Sequence, residues 1–118
     1  MILTTERLIR LRADARLERN TLLEHRGRMG EDPASSISEM PSVDEFVVQA
    51  LRDEMLEERG RLAEFGLARL AAHRGGPEAD LHRRDADRVE FELLREIAAQ
   101  VPELTRAVWS LASRLDVE

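Results

Sequence analysis

The chain has 118 residues, 42% apolar and 36% charged, with a formal net charge of −6 and no Cys. That length suits one domain with a core of its own, and three Phe, one Trp and no Tyr make that core aliphatic and alanine-rich, a composition that favours packed helices over sheet. The acidic balance argues against a dedicated DNA-binding domain, and the absence of Cys excludes disulfides, thiol chemistry and thiolate metal sites.

The start, MILTTERLIRLR, lacks the apolar core of a signal peptide, and no run approaches the roughly 20 apolar residues of a membrane span. The expectation is a cytoplasmic protein with no membrane partner. All eighteen cationic residues are Arg, so the chain is lysine-free, most simply through a coding bias. Residues 1–30 carry seven Arg against four acids, whereas both remaining thirds are acidic. The basic first helix is expected to lie beside acidic neighbours, or to offer Arg10, Arg12, Arg16 and Arg19 to an anionic partner.

Apolar periodicity divides the chain into three long helices, at about 4–29, 43–74 and 85–116. In the first, Met1, Leu8, Ala15, Leu22 and Met29 recur every seven residues, with Leu11, Glu18 and His25 at the partner position. A second strip, Ile2, Ile9, Ala13 and Leu17, lies on another face. The following stretch, GRMGEDPASSISEMPS, reads as a polar loop at about 30–42, and Ser42 with Glu45 forms a capping box that starts the second helix.

The second helix places Val48, Met55, Leu62 and Arg69 at one heptad position and Leu51, Glu58, Phe65 and Ala72 at the other. A further strip, Leu56, Ala63, Leu67 and Leu70, gives its second half two apolar faces, while Gly60 and Gly66 weaken it. Gly75-Gly76-Pro77 stops it. The third helix carries Leu94, Ile97, Val101, Leu104, Val108, Leu111 and Leu115 at alternating steps of three and four. Its pattern stays in phase across Pro102, which predicts a kink near that residue; two helices meeting there is the second reading. Trp109, at the edge of the strip, reads as a boundary or interface residue.

The fold class is therefore all-α: an elongated antiparallel three-helix bundle in a single domain, 1–118. The two-faced patterning of the first and second helices favours a homodimer over a monomeric rod. The residues expected on interaction faces are Leu8, Leu11, Leu22, Val48, Leu62, Phe65, Leu104, Trp109 and Leu111.

Signatures of chemistry are sparse. No glycine-rich phosphate loop, nucleophile elbow or HExxH occurs, and the residues three before His25, His73 and His82 are Leu22, Leu70 and Ala79, not the Glu of a di-iron bundle. Glu78, His82 and Asp85 share spacings of four and three, which read as dipole-complementing surface charge in preference to a metal site. No cofactor is expected.

The stretch RNTLLEHR, Arg19 to Arg26, resembles the arginine, polar residue and histidine signature of the HEPN superfamily, small all-helical proteins of which many are ribonucleases active as dimers. The resemblance covers seven residues and implies a catalytic pair of Arg19 and His25 with Asn20 as the polar follower. Two functional readings emerge. The leading one is a non-catalytic interaction protein, an oligomerising adaptor, assembly factor or regulator that binds itself and another protein through coiled-coil-like faces. In that reading Glu18, His25, Glu58 and Arg69 set register. The alternative is a small nucleic-acid-acting protein, either an RNA- or DNA-binding regulator using the basic first helix or a HEPN-like ribonuclease.

Overall fold

The computed structural model describes residues 3–115 and Val117; Met1 and Ile2 of the apolar pattern, and Asp116 at the end of the expected third helix, lie outside the described residues. The described residues contain six α-helices and no strand: α1 Thr5–Arg28, α2 Pro33–Glu39, α3 Val43–Glu58, α4 Leu62–Arg74, α5 Ala79–Gln100 and α6 Thr105–Ala112. A single 3₁₀ turn, Pro102–Leu104, joins the last two. The chain divides into two compact units, Met1–Val47 and Val48–Glu118.

Three differences from the three-helix expectation have local causes. The stretch at 30–42 is not a loop throughout. Asp32 accepts a hydrogen bond from the Ser35 amide at 3.4 Å, and Pro33 sits at the first helical position, where its missing N–H costs nothing. The resulting α2 is seven residues long, and Ser36 and the following Met40 are buried.

The second long helix is broken into α3 and α4 by a Schellman cap. The Arg61 amide donates to Leu56 O at 2.8 Å and the Gly60 amide to Glu57 O at 3.0 Å, with Gly60 at φ +68°. The same motif ends α1, where Glu31 N donates to Arg26 O and Gly30 N to Gly27 O. The third long helix is interrupted rather than kinked. Val101, before the proline, is pushed to φ −130°, ψ 81°, and the 3₁₀ turn restarts the helix at Thr105.

In the first unit α1 begins with Thr4 accepting from the Arg7 amide at 3.2 Å. Its buried residues are Leu8 and Ala15, and Glu45, at the start of α3, is capped by Ser42 Oγ at 3.2 Å as its sequence suggests. Arginines on one α1 face hold the rest of the unit. Arg12 makes a two-pronged contact with Asp44 at 3.0 and 3.4 Å, Arg19 Nε donates to Pro41 O at 2.9 Å, and Arg26 lies 3.9 Å from both Glu31 and Glu39. Residues 12, 19 and 26 are seven apart, two helical turns, so they form one ladder along α1.

The second unit buries Leu51, Leu56, Leu94, Ile97, Leu104 and Val108 completely. The apolar ladder of the third segment thus remains on the core side on both sides of Pro102, although the helix does not.

Two glycines on either side of α4's start respond in opposite directions. Gly60→Ala is expected to lower unfolding free energy by about 1 kcal/mol, because a Cβ there meets nothing within 4 Å and only the left-handed backbone is strained. Gly66→Ala, inside α4 and equally uncrowded, should raise it by about 1 kcal/mol. Urea denaturation of the two variants checks the pair.

Candidate interaction surface

Phe65 and Arg69 stand four apart, on one face of α4. That face meets α5. Arg69 Nη1 donates to Asp87 Oδ1 at 2.6 Å and its Nη2 to Glu90 Oε2. Arg52, from α3, donates Nη1 to the other Glu90 oxygen, and its Nε and Nη2 reach Asp53 Oδ1 at 3.1 and 2.9 Å. One carboxylate therefore ties α3 and α4 to α5. The Asp87 and Glu90 side chains are only 4% and 7% exposed, so these are buried charges whose partners satisfy them. The Phe65 ring packs against both guanidiniums, with Arg52 Cζ 5.5 Å and Arg69 Cζ 5.1 Å from its centroid.

Burial of Arg52 works against its charged form, but attraction to Glu90 and Asp53, with their hydrogen bonds, outweighs it and raises its pKa above the ordinary arginine value. A raised cation contributes stability that is complete below its unfolded pKa and is lost only as pH rises through the folded one. Arg52 therefore stays charged throughout the neutral range.

Fixing Phe65 and Arg69 against α5 turns the opposite face of α4 outward. No residue of α4 is buried. Leu67 is 67% and Leu70 43% exposed, with Ala63 also exposed, and on α5 Leu81 is 62% exposed. Beside Leu67 runs an open groove of about 510 Å³ lined by Ala68, Ala71 and Arg74 of α4 and by His82 and Asp85 of α5. Ala63, Leu67 and Leu70 thus form an exposed apolar strip along α4.

Comparison with known proteins finds no family model, no curated protein and no solved structure that matches this chain.

The residues expected on interaction faces separate into two groups. Leu8, Val48, Leu104 and Leu111 lie in the cores, and Leu11 and Phe65 are half-buried. Leu22 and Leu62, each 40% exposed, and Trp109, 48% exposed, are at the surface. Trp109 of α6 tilts against Phe91 of α5, ring centroids 6.3 Å apart, over which Arg95 also lies. Of the polar seam residues, Glu18, His25 and Glu58 are exposed, and Arg69 alone is built into a buried network.

Arg19, Asn20 and His25 are not gathered into a site. Arg19 is spent on the Pro41 carbonyl, Asn20 and His25 are exposed, and six helical residues turn side chains about 120° apart. His82 lies 3.9 Å from Glu78, while Asp85 pairs with Arg88 at 3.2 Å. Among the described residues no group of three or more His, Asp and Glu is placed to hold a metal, and no helix is long and apolar enough to cross a membrane.

Glu90→Ala is expected to lower unfolding free energy by about 3 kcal/mol, since it takes a buried carboxylate from two guanidiniums at once and leaves Arg52, whose side chain is only 18% exposed, to its Asp53 contact. Arg88→Ala, which removes an exposed pair on the same helix, should change it by less than about 0.5 kcal/mol. Guanidinium denaturation of both variants compares the two costs.

Proposed function

We propose that this protein is a non-catalytic helical interaction protein that works by association, and that it pairs with itself. The observation that carries this reading is α4, a helix with no buried residue whose outward face holds Leu67 and Leu70. Water contact with such a strip is unfavourable, at about 25 cal/mol for each Å² of apolar surface, and covering it is the simplest gain open to the molecule. The coiled-coil-like surface is thus the outer strip Ala63, Leu67 and Leu70, while Phe65 and Arg69 hold the helix in place. An adaptor, assembly factor or regulator can present such a face to a copy of itself or to the helix of another protein.

The arginines of α1 support the same reading over nucleic-acid binding. Of the four arginines expected to face an anion, Arg12 and Arg19 are engaged within their own unit, as is Arg26, while Arg10 and Arg16 are exposed. A phosphate backbone would have to compete with those contacts.

Sedimentation equilibrium tests the proposal. The wild-type chain is expected to be dimeric at micromolar concentration, and Leu67→Glu with Leu70→Glu to be monomeric with an unchanged helical circular dichroism spectrum. A wild-type chain that stays monomeric up to about 1 mM, where association would be worth only about 4 kcal/mol, overturns self-pairing. Salt-sensitive binding of RNA by the monomer would replace it with the nucleic-acid reading.

A further inference from the structure

The outer face of α4 is self-complementary in both shape and charge, and we infer that it pairs with α4 of a second copy in an antiparallel two-fold arrangement that sets Glu64 against Arg74 of the partner. The inference rests on the association reading above and specifies its geometry.

Charge is the first argument. Glu64 and Arg74 are both exposed and flank the strip, ten residues or about 15 Å apart along the helix. A parallel pairing in register would bring Glu64 against Glu64 and Arg74 against Arg74. An antiparallel pairing centred on residue 69 brings opposite charges together twice, once at each end, as a two-fold axis requires. Glu64 lies 3.8 Å from Arg61 across an exposed i, i+3 pair, a contact weak enough to leave its carboxylate open to a second cation.

Shape is the second and independent argument. The same antiparallel register places Leu67 level with Ala71, four residues on along the same face, so that a large side chain meets a small one, the condition for close interdigitation. The molecule already shows both halves of that fit side by side. Leu67, at 67% exposure, is the ridge, and the groove beside it, lined in part by Ala71, is the slot. A two-fold rotation inserts each ridge into the other copy's slot. Shifting the register by one helical turn would set Leu67 against Leu67 and separate the charged ends.

Charge reversal read by sedimentation equilibrium tests the arrangement at low salt, with Leu67→Glu as reference. Glu64→Arg alone and Arg74→Glu alone each convert two attractive contacts into two repulsive ones, and each is expected to raise the dimer dissociation constant at least about tenfold. Combining them in one chain restores opposite charges across the axis and should return the constant to within about threefold of wild type. If Leu67→Glu dissociates the dimer while the single reversals have no effect, or if the combined variant stays as weak as the singles, the antiparallel register is overturned and the α4 surface stands. If the wild type is dimeric and Leu67→Glu leaves it so, α4 is not the interface. A monomeric wild type removes self-pairing itself.

Discussion

The second unit depends on one carboxylate. Glu90, almost wholly buried on α5, accepts from Arg52 of α3 through one oxygen and from Arg69 of α4 through the other. Losing either arginine weakens the pairing of a buried carboxylate, and the Phe65 ring packs against both guanidiniums. Hydrophobic burial alone would not specify how α4 is rotated, because this helix has apolar residues on two faces. The ion network does. It brings the Phe65 and Arg69 side to α5 and leaves Leu67 and Leu70 outside, so a polar interruption in an apolar seam determines which surface the molecule offers.

The first unit uses the same residue type by a different rule. Its arginine ladder, at 12, 19 and 26, reaches a carboxylate, a backbone carbonyl and a pair of glutamates in turn. Guanidinium groups can satisfy all three partners because their donors fan out in a plane. A lysine-free chain that places arginine at these points can reach different kinds of acceptor with one residue type, whatever the origin of its codon usage.

Much of the architecture was legible because capping and periodicity are local. Ser42 with Glu45, the Gly75-Gly76 stop and the ladder from Leu94 to Leu111 all appear where the sequence implies. Helix continuity was less legible. The step from Leu56 to Ala63 keeps helical phase, so periodicity runs across Gly60, yet two hydrogen bonds of a Schellman cap end the helix there. Asp32-Pro33 was a cap and first-turn signal hidden inside a polar stretch too short to show a period of its own. At Pro102 the apolar phase persisted because a 3₁₀ turn returned the chain to the same side of the core.

The surface was only half legible, for a physical reason. Two apolar faces on the second half of the 43–74 segment could be counted in the sequence, but which of them lies inside depends on pairing between residues 18 to 38 positions apart, from Arg69 to Asp87 and Arg52 to Glu90. Arginines spaced by seven look like a solvated stripe until their partners are known. The most direct measurement exploits the absence of native Cys: thiol alkylation of Leu67→Cys as a function of protein concentration, with Ala86→Cys, in the α5 core, as the protected reference. The account requires Leu67→Cys to react rapidly in dilute protein and progressively more slowly as concentration rises, with Ala86→Cys slow throughout. Protection of Leu67→Cys at every dilution would mean that α4 is turned the other way, and rapid reaction at every concentration would mean that nothing covers it.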